Sequence, residues 1–399
     1  MRVLRRARRR ARFRESLVEL GPESRQITLS DGRRLGFDDF GHPDGAPVLF
    51  FHGFGSSRVV RHPDDDIAEE LGARVIAVDR PGIGLSTRQP GRRVTDFPRD
   101  IAELLEILEI EHCAMVAWSG GGPYALACAW QMPERFSVVG LISAPAPLSG
   151  VPGSTGYTWP RHRAMSRTAD HAPWIIKLAM WQWSRQQKSD PHKQLDEAIS
   201  GMAEADREIL GDPELRAVMI ANAAEMYRQG TGGVSDEAIC LARPFGFPIG
   251  GVTVPVRIWH GAQDTVVPVG MGKYLARHLP NAVATFFPNE GHHFVYERWR
   301  EILGVIVARS ITLRISATAG TPPAFSNCWL ITLAIRCSRP ASTSWMMSGL
   351  VWAIVAIRRI TASCRSVGRP LMMSEAWAGG MWERIRAIVW GCSSMMNVS

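Results

Sequence analysis

Apolar residues in this chain fall into short continuous runs, and these runs alternate with segments of helical period. Val48-Leu49-Phe50-Phe51, Arg74 to Val78, Ala114 to Ala117, Val138 to Ser143, Val254 to Trp259 and Ala282 to Phe287 are predicted strands. The unbroken apolar character of Val48–Phe51 is that of a strand buried on both faces. Between the runs, Ile101, Leu104, Leu105 and Leu108 repeat at helical spacing. Tyr124 to Trp130 reads as a helix, and Tyr296 to about Val307 as a final amphipathic one. Gln26 to Phe37 reads as a hairpin turning at Asp31-Gly32. The alternation predicts an α/β fold: a mostly parallel central sheet with helices on both faces.

The rhythm breaks over residues 147–246, where helices follow one another without strands. Trp174, Ile175, Leu178, Trp181 and Trp183 crowd one of them with apolar bulk. An insertion of this length between two sheet strands must sit at an edge of the sheet. At the carboxyl edge it forms a helical lid. The expected organisation is a core over residues 21–146 and 247–309, with a lid over 147–246. Trp118, Trp174, Trp181 and Trp183 are expected on the wall of the substrate pocket.

The chemistry centres on Val116-Ala117-Trp118-Ser119-Gly120-Gly121-Gly122-Pro123. A predicted strand precedes Ser119 and a predicted helix follows it, with small residues two places to either side. That is the pattern of a nucleophile elbow, with Ala117 at the first small position. The turn is so sharp that bulk at 117 or 121 meets neighbouring backbone, and the free N–H groups of the helix start point at the serine.

Four further elements stand in order around it: His52-Gly53 after a strand, Asp79-Arg80-Pro81-Gly82-Ile83-Gly84, Gly261-Ala262-Gln263-Asp264 and Gly291-His292. With the Ser119 turn they resemble the α/β-hydrolase superfamily over about residues 24–308, and within it the lidded bacterial serine hydrolases. The chain order Ser, Asp, His is the one that fold carries. The resemblance implies that Ser119 is the nucleophile, His292 its base and Asp264 the carboxylate that orients the imidazole. It places the oxyanion donors on the backbone N–H groups of Phe54 and Gly120. His293 is the rival base, but the residue directly after Gly291 holds the family's position. His52 is expected to shape the oxyanion turn and His260 to be structural. Asp79 lies too early in the chain to be the triad acid.

Charge and cysteine content narrow the partners. Of 399 residues, the first 14 carry eight Arg and no acid, and residues 310–399 carry nine Arg, two Glu and no Lys. Residues 15–309 hold 29 Lys and Arg against 36 Asp and Glu, so the formal charge of +8 belongs to the two ends. No basic surface for nucleic acid is expected on the folded part. Seven scattered cysteines form no C-x-x-C pair, so neither a zinc site nor a redox motif is indicated. With no apolar stretch after the Arg-rich start to make a secretory signal, a reducing, cytoplasmic setting is expected.

The ends are read separately. Residues 1–20 are expected to be a disordered arm or an upstream start. The stretch 310–399 has six Trp, seven Met and four Cys without lasting periodicity. It is expected to be a frameshifted or read-through tail. The uncharged 18 residues from Pro340 to Ile357 meet the bare length for a membrane span, which makes an anchor the alternative. The expected activity is cofactor-free and metal-free cleavage of an ester-like substrate with an apolar acyl or aromatic group, through an acyl-enzyme. A perhydrolase or haloperoxidase-like enzyme, a C–C bond hydrolase and a non-catalytic binding protein of the same fold are the alternatives.

Overall fold

The predicted strands pair into one sheet, and their register shows how the apolar runs are used. The computed structural model describes residues 17–19, 23–149, 156, 158 and 160–318, with side chains within 23–310. All lie in one unit, Met1–Asn327. The arm expected over 1–20 lies outside the described residues apart from Leu17–Glu19, which pair as a strand instead of being disordered, and the tail lies outside them beyond residue 318. The strands are β1 Leu17–Glu19, β2 Ser24–Thr28, β3 Arg34–Gly41, β4 Ala46–Phe51, β5 Ala73–Val78, β6 Cys113–Trp118, β7 Phe136–Ile142, β8 Val256–Gly261 and β9 Ala282–Phe287. Their order is β1-β2-β3-β5-β4-β6-β7-β8-β9. β1, β2 and β3 pair antiparallel and β3 joins β5 antiparallel. From β5 to β9 every neighbour is parallel.

Each parallel strand feeds alternate residues to two cores. Leu49, Phe51, Met115, Ala117 and Leu141 face one side. There they meet helices α2 (Phe97–Ile107) and α3 (Gly122–Gln131). Val48, Phe50, Val116, Trp118 and Ile142 face the other, against α1 (Asp66–Glu70) and the C-terminal helix Val295–Thr318. A period of two along each strand therefore settles which helix a side chain can touch. β9 is an edge strand, and its outward Val283 is half exposed.

The C-terminal helix runs to Thr318, past the end expected near Val307. No Gly or Pro interrupts Ala308–Thr318, and the first breaker is Gly320.

Between β7 and β8 the described residues form six α-helices: α4 Pro160–His171, α5 Pro173–Ser189, α6 Pro191–Ser200, α7 Glu204–Ile209, α8 Pro213–Met226 and α9 Gly232–Ala242. Proline in the first turn opens α5, α6 and α8, where a missing N–H costs nothing. Asp190 caps α6 through the Lys193 N–H, and Asp212 caps α8 through Glu214 and Leu215. Helix α10 (Val269–His278) follows β8, which makes Val295–Thr318 α11. Among the described residues no helix is long and apolar enough to cross a membrane.

Candidate active site

Ser119 sits between β6 and α3 with φ of 51°, a left-handed conformation rare for a residue with a side chain. The neighbours explain why the turn must be lined with glycine. A Cβ on Gly121 would stand 2.4 Å from the Phe51 carbonyl oxygen, and one on Gly120 would stand 2.7 Å from the Phe54 nitrogen. The segment after β4 thus runs against the elbow, and Gly53 passes 3.8 Å from Ser119 Oγ, measured from where its Cβ would be. Phe54 and Gly120 are neighbours beside the serine.

The turn after β8 carries Asp264, and the turn after β9 carries His292. The His292 ring nitrogen Nδ1 lies 2.7 Å from Asp264 Oδ2, and both residues are buried. The other oxygen, Oδ1, accepts the backbone N–H groups of Val266 at 2.8 Å and Val267 at 2.7 Å. Burial alone pushes the Asp264 carboxyl up, but His292, His260 and the Val267 N–H outweigh it and hold it below the usual carboxylate range. A carboxylate ionised in this way fixes the imidazole with Nδ1–H toward it, leaving Nε2 free to take a proton. Among the described residues no hydrogen bond yet joins Ser119 to His292. The serine's neighbour does reach that loop: Trp118 Nε1–H donates to the His292 carbonyl at 3.2 Å.

The other histidines fall into separate places. His260 Nε2 lies 3.0 Å from the Val267 carbonyl, with its ring buried under Gly272. Burial holds it below the usual histidine range. His293 turns away from Asp264 to Asp206. His52 stands behind the oxyanion turn, where burial and the Arg80 guanidinium keep it neutral.

Two carboxylates from the inserted helices enter the site, and neither was expected from the sequence. Asp206 on α7 is fully buried; its Oδ2 accepts the His292 N–H at 2.9 Å and its Oδ1 the His293 N–H at 2.6 Å. A Cβ on Gly291 would stand 2.2 Å from Asp206 Oδ2, so glycine there is what lets the carboxylate close on the loop. Glu237 on α9 holds Arg80 Nε at 2.5 Å. Arg80 in turn donates to the carbonyls of His52 at 2.6 Å and Gly53 at 2.7 Å. The insertion therefore clamps both the histidine loop and the oxyanion turn. The preceding Asp79 binds Arg58 at 2.8 Å, away from the His292–Asp264 pair.

A cavity of about 140 Å³ opens at Ser119. It is lined by Phe54, Ser119 and Gly120 together with Leu148, Val266 and Met271, and by His162, Met165, Ala238 and Leu241 of α4 and α9. Burial and the neighbouring Arg161 bring the His162 ring down to about 4, so it lines the cavity uncharged.

The four tryptophans expected on that wall lie elsewhere. Trp118 ends β6 in register with Val116, so its ring falls on the opposite face of the sheet, edge-on to Tyr296. Trp174 and Trp181 are 64% and 48% exposed on the outer face of α5. Trp183 packs on Tyr227 and over Gly55, close to Phe54 but outside the cavity.

A parallel sheet with an antiparallel N-terminal edge, a serine on the β6–α3 elbow and a helical insertion after β7 define an α/β-hydrolase-type protein. The chain belongs to the α/β-hydrolase fold family, whose profile matches residues 46–298. It is 34% identical to a non-heme chloroperoxidase of Streptomyces lividans over 130 residues, 31% of this chain and 45% of that protein. It thus aligns with under half of that relative. Over 266 residues it is 26% identical to a pimeloyl-[acyl-carrier protein] methyl ester esterase of Chromobacterium violaceum, 62% of this chain and 87% of that one. Among solved structures, a hydrolase from Pseudomonas aeruginosa superposes with a TM-score of 0.55 at 18% identity, covering 73% of this chain and 99% of that one. At that identity the likeness speaks for the fold.

Proposed function

We propose that the protein is a serine hydrolase that cleaves esters through an acyl-enzyme, with the inserted helices α4 and α9 as its lid. The observation that carries this reading is the buried 2.7 Å Asp264–His292 pair beside a serine held at φ 51°. Ser119 Oγ attacks the ester carbonyl as its proton passes to His292 Nε2, a contact that tightens when substrate binds. The Phe54 and Gly120 N–H groups hold the tetrahedral oxyanion, and each such donor is worth about a hundredfold or more in rate. Collapse expels the alcohol, which takes the proton from His292. Water then repeats the attack on the acyl-serine, its proton passing to His292 and on to Ser119 as the acid leaves.

The small apolar cavity favours a short acyl or aromatic group over a long chain. A fluorophosphonate should label Ser119, and p-nitrophenyl acetate and butyrate should turn over faster than long-chain esters. Full activity in Ser119→Ala protein would refute the assignment. The local identity with a chloroperoxidase supports a second reading, peracid formation from a short carboxylic acid and hydrogen peroxide at the same serine. Peroxide-dependent bromination of monochlorodimedone with acetate present separates the two.

A further inference from the structure

Six large apolar side chains are strongly exposed among the described residues, and four lie within eight positions of α5: Trp174 at 64%, Ile175 at 43%, Leu178 at 53% and Trp181 at 48%. Trp174, Leu178 and Trp181 follow helical spacing along the outer face, while Ile176 and Ser184 face inward. Such a stripe has no folding reason to stay wet and marks a surface that meets something.

Charge says what. Helix α5 carries Lys177, Arg185 and Lys188 and no acid, and exposed Arg167 adds a fourth cation on α4. Among the described residues none of the four pairs with a carboxylate; Arg185 lies over the Trp181 ring, 5.1 Å from its centroid. The one acid of α4, Asp170, already faces Arg243 at 3.7 Å. This cationic, aromatic face stands on residues 15–309, whose overall balance is acidic, with 36 Asp and Glu against 29 Lys and Arg. A second copy meeting it about a two-fold axis would set the same cations against one another. An anionic lipid surface suits both features: tryptophan and leucine enter the headgroup boundary while Lys and Arg meet the phosphates.

We propose that α5 docks the protein on an anionic bilayer surface, lying in its plane rather than crossing it. Helix α5 packs through Ile176 against Ala169 of α4 and Ala238 and Ile239 of α9. Those two helices also wall the cavity over Ser119, so docking sets the cavity one helix away from the lipid.

The test is flotation of the full chain with vesicles of phosphatidylcholine alone and of phosphatidylcholine with phosphatidylglycerol. The eight Arg of residues 1–14 attract anionic vesicles too, so the variants carry the result. Leu178→Glu, and Lys177→Glu with Lys188→Glu, are each expected to lower partitioning onto phosphatidylglycerol vesicles at least tenfold, with high salt weakening the wild type. Melting temperature and turnover of a soluble short ester should stay unchanged. Partitioning unaltered in both variants would overturn the proposal. So would a wild-type dimer that Leu178→Glu abolishes without affecting vesicle binding, since α5 would then seat a second copy. Flotation and melting need no catalysis, so they report on docking even if Ser119 proves inert to esters.

Discussion

Replacing Asp206 tests whether the insertion sets the geometry of the proposed base. Its carboxylate accepts the His292 and His293 backbone N–H groups, and the His293 ring nitrogen Nδ1 lies 3.3 Å from it. In Asp206→Ala both N–H groups lose their acceptor in a buried site. Each unmet group costs about 1–3 kcal/mol, so the fold should lose about 2–6 kcal/mol. Asp206→Asn keeps the shape and one acceptor and should cost about 1–3 kcal/mol. It also frees the loop to drift, and a displacement of about 1 Å at a reacting group can cost a hundredfold in rate. With a short p-nitrophenyl ester, kcat in Asp206→Asn should fall about 10- to 100-fold. KM should hold, since the cavity wall is unchanged. Burial pushes Asp206 up, but His293 and the two backbone N–H groups hold it below the ordinary carboxylate value. Its folded-state value is therefore depressed. The stability it contributes is present above the unfolded value of 3.8 and is lost as pH falls through the folded one. Urea unfolding of the wild type and Asp206→Asn should accordingly converge in acid. A variant that is destabilised but retains wild-type kcat would show that Asp206 only braces the loop.

Gly121→Ala should destabilise the protein by about 1–3 kcal/mol or more, because backbone oxygens of Phe51 and His52 occupy the Cβ position and cannot move aside. An unchanged melting temperature would contradict that crowding. Asp79 runs opposite to Asp206: burial, against Arg58, raises it to about 6 from 3.8. Between those values the unfolded chain releases its proton first, so the wild-type advantage over Asp79→Asn should shrink as pH rises from 4 to 6, by about 2 kcal/mol at no more than roughly 1.4 kcal/mol per unit. A flat difference in urea unfolding across that window would refute this. Glu237→Gln should slow turnover while sparing the Asp264–His292 pair, because it loosens Arg80 and with it the carbonyls of His52 and Gly53. Equal turnover in the variant would rule out that clamp.

Several features were legible in the sequence because they are local. The apolar runs at 48–51, 74–78 and 114–117 became the central parallel strands, since a strand covered on both faces has no polar side to show. The small residues around Ser119 announced a turn too tight for a Cβ. Asp264 and His292 could be placed by chain order, and the fold brings their side chains together. Other features depend on contacts between distant segments. Asp206 and Glu237 read as ordinary acids of helices, where a charge usually faces water. Only the docking of α7 and α9 on the core turns them inward onto backbone N–H groups and Arg80. Gly291 is the one trace of this in the sequence, and it is explained as well by the turn it occupies. The tryptophans show the same boundary. Residue type marks Trp118, Trp174 and Trp181 as apolar bulk, but the register of β6 sends Trp118 to the far face, and the rotation of α5 leaves Trp174 and Trp181 in water. Periodicity gives the phase of a side chain about its own element. What stands opposite that phase is decided by how the elements pack, and that is a property of the tertiary structure alone.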